Sequence, residues 1–318
     1  MNKLQTWISA LRLRTLPLAV SSIFLGIALA EINYSVNGNV ALLTLITAIC
    51  LQILSNLAND YGDFVKGTDN EKRIGNLRAL QSGNIKIGEM KIALALFIGL
   101  SLISGIALLY QATNGIMNMS FILFFIVGVL AIIAAIKYTV GKNAYGYSGL
   151  GDLAVFVFFG PVAVLGTFIL STNFEFNLTT DFLIFLPAIG IGLLSTAVLN
   201  TNNIRDIEND CASGKMTIPV KIGLSKARIY HSILIFVSLI CFLFFLFTHL
   251  THWVLLLQIP SLFFIVKTWL SVMRTEPSSA YNSFLKQLSL GTLFFVIVFI
   301  VTHWIEKLLM IKDLIQQF

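Results

Sequence analysis

Nine apolar runs, each close to 20 residues long, dominate this sequence of 318 residues. A helix of about 20 apolar residues crosses the hydrocarbon core of a bilayer, which is about 30 Å thick. Because irregular backbone is not tolerated against lipid, each run is predicted to be helical. The predicted spans are residues 15–32, 40–60, 91–111, 119–139, 151–171, 182–203, 229–249, 252–272 and 287–306. The sequence therefore predicts an all-α, polytopic membrane protein, a nine-helix bundle forming one domain over residues 1–318.

The composition excludes an ordinary soluble domain. Hydrophobic residues make up 57% of the chain and charged residues only 11%, whereas about 25% of a typical soluble domain is charged. The three cysteines form no CxxC pair and no plausible disulfide framework. The lipid bilayer is thus the expected partner, and no nucleic-acid partner is expected.

The basic residues predict the orientation of these spans. Lys and Arg favour the cytoplasmic side of a membrane. With the N-terminus in the cytoplasm, all of the 21 Lys and Arg residues except Lys307 and Lys312 fall in or beside cytoplasmic segments. The two longest polar connections, residues 61–90 and 204–228, then also face the cytoplasm. We therefore expect a bacterial inner-membrane protein with its N-terminus and its active site on the cytoplasmic side.

Acidic and carboxamide residues cluster at the end of the second and the sixth span. In the first cluster they recur at intervals of three and four, which places them on one face of a helix. In the second cluster, two aspartates four residues apart share a face. The residues concerned are Asn56, Asn59, Asp60 and Asp63, and then Asn202, Asn203, Asp206 and Asp210.

These clusters favour a cation site over a solvated surface. Asp and Asn are common at helix ends and turns, which would make the clusters ordinary. However, both lie at predicted helix C-termini, where negative charge opposes the helix dipole. Oxygen ligands without His or Cys favour Mg²⁺ or Mn²⁺. We predict that Asp60, Asp63, Asp206 and Asp210 are catalytic and hold Mg²⁺ ions that bridge a diphosphate.

A diphosphate also needs direct polar contacts. Arg78 and Lys215 stand beside glycine and hydroxyl residues, a composition suited to an anion-binding loop. Lys142 belongs to a third polar segment, residues 137–152, for which a structural ion pair with Asp152 is an alternative. The predicted diphosphate-binding residues are Asn56, Asn59, Lys66, Arg78, Lys142, Asn203 and Lys215.

The two acidic clusters resemble the Asp-rich signatures of the UbiA superfamily of intramembrane prenyltransferases. The first signature is written NDxxDxxxD, and Asn59, Asp60 and Asp63 match it, but its last position is Gly67 here. Asp69 comes two residues later, so its role is left open. Asp206 and Asp210 match the second signature, DxxxD. Segments 56–70, 78–83, 145–152 and 202–223 resemble the branch that prenylates 1,4-dihydroxy-2-naphthoate.

The resemblance implies nine transmembrane helices and a site for Mg²⁺ and diphosphate between two Asp-rich helices. It implies transfer of a polyprenyl group from polyprenyl diphosphate to 1,4-dihydroxy-2-naphthoate, with loss of CO₂, giving demethylmenaquinone for menaquinone biosynthesis. Arg12, Tyr138 and Tyr147 are the candidates for contacting the naphthoate.

Two other functions are considered. The acceptor could be another aromatic compound, such as 4-hydroxybenzoate or homogentisate. An ion-coupled transporter also carries acids within the membrane, but transporter sites tend to lie near the midplane on broken helices. The clusters here lie at helix ends beside long basic loops, which favours the enzyme.

Overall fold

The computed structural model describes residues 2–70, 73–75, 77–177, 179–250 and 252–316. Within these ranges the chain is helical and contains no β-strand. The helices are α1 Lys3–Ala10, α2 Leu16–Asn33, α3 Gly38–Val65, α4 Ile87–Ala112, α5 Met119–Lys137, α6 Gly151–Val157, α7 Gly166–Ser171, α8 Phe185–Arg205, α9 Ile207–Ala212, α10 Ile218–His249, α11 His252–Leu255, α12 Leu262–Arg274 and α13 Tyr281–Gln316. Short 3₁₀ helices cover Leu13–Thr15, Tyr145–Tyr147, Phe182–Ile184 and Leu256–Ser261, and a π-helix covers Phe158–Leu165.

The predicted all-α bundle is confirmed. Nine helical stretches in the described part of the chain are long and apolar enough to cross a membrane, one for each predicted run. Their bounds differ at several ends; the seventh span, for example, begins at Ile218 rather than at residue 229. The added residues at its start are rich in Lys and Arg, so hydropathy does not detect them. The helix is interrupted there at Gly223, whose φ of +78° lies in the left-handed region that favours glycine.

Local sequence signals begin several helices. Asn118 caps α5 by accepting a hydrogen bond from the backbone N–H of Phe121, and Asn37 caps α3 in the same way through Asn39. Proline occupies the first turn of α2 and of α10, where its missing N–H costs no helical hydrogen bond. Capping groups and prolines therefore mark where these helices begin.

The main core lies between α2, α8, α10 and α13. Leu25, Leu194, Phe242, Phe295 and Phe299 are each almost completely buried in one cluster. On the opposite side of the bundle, only two residues of α5 are buried. A cavity occupies the space between the two sides.

The two acidic clusters differ in local structure. The first lies within α3, as predicted, and turns Asn56, Asp60 and Asp63 inward. The second is divided between α8 and α9, which corrects the prediction of one continuous helix, although Asp206 and Asp210 border the same cavity. The helix stops at Arg205, Asp206 adopts a non-helical conformation with φ −97° and ψ 12°, and α9 follows. This break turns the Asp206 carboxylate toward Arg205.

Candidate active site

Five aspartates from three chain segments are buried at one end of the bundle. Their exposed fractions are 1% for Asp60, 5% for Asp63, 8% for Asp69, 4% for Asp206 and 3% for Asp210. A carboxylate removed from water is unstable unless cations or hydrogen-bond donors compensate it. The partners of each aspartate therefore define the electrostatics of the site.

Asp60 is neutralised by two arginines. Its Oδ1 lies 2.5 Å from Nη2 of Arg12 and 3.0 Å from Nη1 of Arg78. Arg12 precedes α2 and has a φ of +49°, a conformation uncommon for a residue other than glycine. This backbone conformation brings the N-terminal segment over α3.

Asp206 is held by its own neighbour in sequence. Arg205 donates from Nε to Oδ1 at 2.9 Å and from Nη2 to Oδ2 at 2.5 Å, a bidentate pair. Arg205 is fully buried, and its Nη1 donates to Oδ1 of Asn282 at 2.8 Å. Arg73 lies 3.7 Å from Oδ2 of Asp206. Burial acts to raise the pKa of Asp206, but its bonds to Arg205 and the nearby cations keep that pKa below its usual range.

Asp63 lies between a phenol and an ammonium group. Tyr147 donates to its Oδ1 at 2.8 Å, and Nζ of Lys215 lies 3.4 Å from its Oδ2. The hydroxyl of Tyr147 is also 2.6 Å from that of Thr68. Nζ of Lys66 sits 3.8 Å from the centroid of the Tyr147 ring, within cation–π distance. The Tyr147 loop is therefore tied to the first acidic helix.

Asp69, whose role the sequence left open, belongs to the same cluster. Its Oδ1 lies 3.2 Å from Nε of Arg73 and 3.7 Å from Nε of Arg78. Burial raises the pKa of Asp69 in spite of these cations. Arg78 thus lies between Asp60 and Asp69 and links the loop after α3 to the helix itself.

Asp210 carries the weakest compensation of the five. Burial is the main cause that raises the pKa of Asp210 to about 7, and the nearby charge of Lys215 opposes the rise. Its side chain borders the cavity together with Asp63, Asp206 and Lys215. Asp210 is therefore the carboxyl group of this cluster closest to a proton-exchange equilibrium at neutral pH.

The cavity has a volume of about 400 Å³ and two contrasting ends. Its polar end is bordered by the charged groups of both acidic clusters. From there it runs between α3, α4, α5 and the α6–α7 span past apolar side chains toward Leu109 and Leu170. Such a shape suits a ligand with an anionic head and a long apolar tail.

The predicted site residues divide into three groups by position. Those that border the cavity are Asn56, Asn59, Asp63, Arg78, Asn203, Asp206, Asp210, Lys215, Arg12 and Tyr138. Asp60 lies just behind this wall, covered by Arg12 and Arg78. Lys66 and Tyr147 lie behind Asp63, and Lys142 is exposed outside the cavity.

Several residues of the site were not predicted from sequence. Thr68 lies in the loop after the first acidic cluster and Asn209 lies in α9, and Nδ2 of Asn209 donates to the carbonyl of Thr68 at 2.9 Å. Asn282, at the start of α13, accepts a hydrogen bond from Nη1 of Arg205. Asn209 stands inside the second cluster, so its position was a usable signal. Asn282 is remote in sequence from both clusters, and no pattern in the sequence indicated that it belongs to the site.

The donor set fits a hard divalent cation that keeps water or phosphate ligands. The inward-facing atoms are carboxylate and carboxamide oxygens, including the buried Oδ1 of Asn59, which has no hydrogen-bond partner. Among the residues that the structure describes, no three His, Cys, Asp or Glu side chains converge closely enough to chelate an ion by themselves. Mg²⁺ typically takes one or two carboxylates and completes its shell with water and phosphate oxygens.

A bundle of membrane-spanning helices with a charged site at the head of an apolar cavity defines a class: integral membrane proteins that handle amphiphilic, anionic ligands. The model of the UbiA prenyltransferase family matches residues 19–305, and the chain belongs to that family.

Curated relatives share this similarity over nearly their whole length. The 1,4-dihydroxy-2-naphthoate octaprenyltransferase of Haemophilus influenzae is 44% identical over 94% of this chain and 95% of its own. The protein of the same name from Escherichia coli is 45% identical over 96% of this chain and 97% of its own.

Solved structures share the fold. The apo structure of a UbiA homolog from Aeropyrum pernix has a TM-score of 0.65 at 17% identity, covering 92% of this chain and 98% of that one. A UbiA homolog from Archaeoglobus fulgidus, bound to DMAPP and Mg²⁺, has a TM-score of 0.58 at 17% identity, also covering 92% of this chain and 98% of that one.

Proposed function

We propose that this protein transfers a polyprenyl group from polyprenyl diphosphate to 1,4-dihydroxy-2-naphthoate in menaquinone biosynthesis. The relatives with 44% and 45% identity carry the name of this activity. The observation that carries the proposal in this chain is the cavity with buried Asp and Arg at one end and apolar walls beyond. A prenyl diphosphate has the same division into charged head and apolar tail.

The charged end would bind the diphosphate with Mg²⁺. Asp63, Asp206 and Asp210 border the cavity and would hold the metal, with Asp60 supporting them from behind. Mg²⁺, when bound, supplies Lewis-acid stabilisation of the leaving diphosphate. Arg78 and Lys215 would stabilise the same charge directly, because preorganised cations in a dry site act strongly on developing charge. The homolog from Archaeoglobus fulgidus with DMAPP and Mg²⁺ supports this assignment by analogy of fold.

Arginines that now neutralise aspartates would change partner. Arg12 and Arg78 both bind Asp60, and Arg73 lies near Asp69 and Asp206. When a cation compensates the carboxylates, the guanidinium groups of Arg73 and Arg78 would become available to phosphate oxygens, which they bind well, and that of Arg12 would become available to the acceptor. In the free protein the arginines and aspartates would therefore neutralise one another. In the complex the aspartates would bind the metal and arginines would bind the diphosphate.

The apolar part of the cavity would protect the reaction. The allylic C–O bond breaks, its electron pair stays on the diphosphate, and the allylic carbon becomes electron-deficient. A dry cavity keeps water from capturing it. The naphthoate carbon that bears the carboxylate attacks, and loss of CO₂ returns the C–C electron pair to the ring. The product is the reduced, quinol form of demethylmenaquinone.

We assign the acceptor end of the cavity to Arg12 and Tyr138. Both border the cavity near the aspartates, and the buried Nε of Arg12 has no hydrogen-bond partner. A buried guanidinium N–H without a partner suits the carboxylate of the naphthoate. Tyr147 was predicted for the same role, but its hydroxyl is engaged by Asp63 and Thr68, so we assign it to orienting Asp63.

The N-terminus and the charged end of the cavity would face the cytoplasm. Basic residues concentrate in the segments that would then lie on the cytoplasmic side, which Lys and Arg favour. Polyprenyl diphosphate could then enter from the membrane, and the water-soluble naphthoate from the cytoplasm.

The test is an acceptor competition with purified protein, Mg²⁺ and a polyprenyl diphosphate. We expect a prenylated, decarboxylated product from 1,4-dihydroxy-2-naphthoate and little from 4-hydroxybenzoate or homogentisate. Product from one of the other acceptors and none from the naphthoate would overturn the acceptor assignment. No product from any acceptor, with wild-type protein that is folded and binds Mg²⁺, would overturn the transferase itself.

A further inference from the structure

A glutamine lies inside the cavity, on the same helix as the first acidic cluster. Gln52 precedes Asn56 by one turn of α3 and Asp60 by two turns, so the three residues share one face of the helix. Gln52 borders the cavity and stands about 12 Å from Asp60 along the helix axis. An amide so far from the charged end needs hydrogen-bond partners of its own.

Two backbone carbonyls fix the orientation of its neighbours. Nδ2 of Asn56 donates to the carbonyl of Leu11 at 3.0 Å. Because a carbonyl oxygen only accepts, Asn56 must present its NH₂ group there, and its Oδ1 remains an acceptor for Gln52. The hydroxyl of Thr15 donates to the carbonyl of Arg12 at 2.9 Å, so only its lone pairs are left for other partners.

Gln52 supplies the hydrogens for both of these acceptors. Its Nε2 lies 3.2 Å from Oδ1 of Asn56 and 3.4 Å from Oγ1 of Thr15. The reversed amide would place its oxygen against two other acceptors, so the network settles which atom is Nε2.

Oε1 of Gln52 is the atom that this network leaves over. No residue in the described part of the chain donates a hydrogen bond to it, and it is not among the fully enclosed polar atoms. Since Gln52 borders the cavity, its Oε1 is an acceptor that a bound ligand can reach.

The chemistry of the two proposed substrates decides which of them suits this oxygen. An amide oxygen needs an O–H or N–H donor, and an ionised diphosphate with a hydrocarbon tail has neither. The naphthoate has two hydroxyl groups. Its C1 hydroxyl stands beside the carboxylate and donates to it within the molecule, whereas its C4 hydroxyl points away and needs an acceptor from the protein.

The same network connects this oxygen with the proposed carboxylate site. Thr15 accepts from Gln52 and donates to the backbone of Arg12, whose guanidinium reaches Asp60 at the charged end. When the carboxylate of the naphthoate binds Arg12, the C4 hydroxyl lies on the deeper side of the ring, which is the side of Gln52.

We propose that Oε1 of Gln52 accepts a hydrogen bond from the C4 hydroxyl of the naphthoate and so selects a 1,4-dihydroxy acceptor; the inference rests on the proposed function. A site that bonds a substrate hydroxyl discriminates against the analogue without it, because its own polar group is then left unpaired. With Arg12 at one end and Gln52 at the other, the ring is held at two points.

The experiment uses 1-hydroxy-2-naphthoate, which keeps the carboxylate and the C1 hydroxyl and lacks the C4 hydroxyl. With octaprenyl diphosphate and Mg²⁺, we measure the KM for 1,4-dihydroxy-2-naphthoate and the inhibition constant of the analogue against it. An inhibition constant reports binding whether or not the analogue reacts. Both constants are compared between wild type and Gln52→Met, which keeps the length of the side chain.

Gln258→Met is a matched control. Gln258 is a buried glutamine whose Nε2 also makes two hydrogen bonds, to Ser261 and to the carbonyl of Phe295, and it does not border the cavity. This variant should keep the wild-type ratio of the two constants even where its unfolding temperature falls.

In Gln52→Met we expect the KM for 1,4-dihydroxy-2-naphthoate to rise roughly tenfold, because the C4 hydroxyl loses its acceptor. The inhibition constant of 1-hydroxy-2-naphthoate should not rise, since that molecule has no group to pair with Gln52. Gln52→Leu gives the same test if the Met variant does not fold.

An unchanged KM in the Gln52 variant, or an equal rise of both constants, would overturn this role of Gln52. The first result would mean that Oε1 faces only water, and the second that Gln52 acts on the structure of the site as a whole. Failure of the proposed function looks different, because wild-type protein would then form no prenylated naphthoate at all.

Discussion

Tyr147 donates its phenolic hydrogen to Oδ1 of Asp63 at 2.8 Å and so connects the α5–α6 loop to the first acidic helix. The backbone N–H of Met216 donates in turn to the carbonyl of Tyr147 at 3.0 Å. Through these two bonds a single residue connects the first acidic helix with the loop that follows the second acidic cluster. The orientation of Asp63 therefore depends on a loop that contributes no carboxylate of its own.

Tyr147→Phe tests this dependence, because it removes the hydroxyl and keeps the ring under Lys66. A hydrogen bond to a charged group contributes about 1.5–3 kcal/mol, and about 1.4 kcal/mol corresponds to tenfold. We expect the Mg²⁺ concentration for half-maximal activity to rise roughly tenfold or more. Tyr110→Phe, at an exposed position, is the control. An unchanged Mg²⁺ requirement with a raised KM for naphthoate would instead favour direct contact between Tyr147 and the acceptor.

Asp60→Asn and Asp206→Asn should each abolish activity. Loss of either charge leaves buried arginines without their carboxylate and removes negative charge from the metal site. We therefore expect kcat to fall about 10²-fold or more. Glu208→Gln is a matched control, because Glu208 stands between Asp206 and Asp210 in sequence but is exposed. Steady-state turnover with thermal unfolding in detergent separates lost chemistry from lost folding. Normal Mg²⁺-dependent turnover in both Asp variants would show that neither Asp60 nor Asp206 is needed to bind the metal.

Mg²⁺ binding should strengthen as pH rises through neutrality. Burial raises the pKa of Asp210 from its ordinary value of 3.8 to about 7. Without metal the folded state thus holds this proton more tightly than the unfolded chain, and the group lowers the free energy of unfolding as pH rises between those two values. Mg²⁺ requires the ionised carboxylate and must displace the proton at low pH.

The Mg²⁺-dependent shift in unfolding temperature should therefore be larger at about pH 8 than at about pH 6. The Asp210→Asn variant should lose this pH dependence while it stays folded at both values. An equal shift at both pH values in the wild-type protein would show that Asp210 does not couple to the metal.

The sequence predicted the membrane fold well because hydropathy and helix length are local properties. The spacing within residues 56–63 predicted one helical face, and these residues lie in α3, where Asn56, Asp60 and Asp63 are buried. The break at Asp206 was missed, because a separation of four residues fits a continuous helix and a helix followed by a turn equally well. Contacts between distant segments, such as Arg205 with Asn282, left no pattern in the sequence.

Asn282→Ala should destabilise the bundle rather than impair the chemistry directly. The variant leaves Nη1 of the fully buried Arg205 without its acceptor, and an unsatisfied buried donor costs about 1–3 kcal/mol, more when charged. We expect a lower unfolding temperature, with kcat less affected than by Asp206→Asn. Ser283→Ala, at the exposed neighbouring position, should leave the unfolding temperature near that of wild type. Equal stability of both variants would show that Arg205 finds another acceptor.

The native cysteines allow a direct test of the proposed orientation. Cys211 is exposed beside Asp210, whereas Cys50 and Cys241 are half-buried within membrane spans. If the charged end faces the cytoplasm, a membrane-impermeant maleimide should label Cys211 in inverted vesicles and not in intact spheroplasts. A cysteine-free variant carrying Met117→Cys, at a position 75% exposed in the α4–α5 loop, should give the opposite pattern. Labelling of Cys211 from the outside would reverse the topology and place the diphosphate site on the external face.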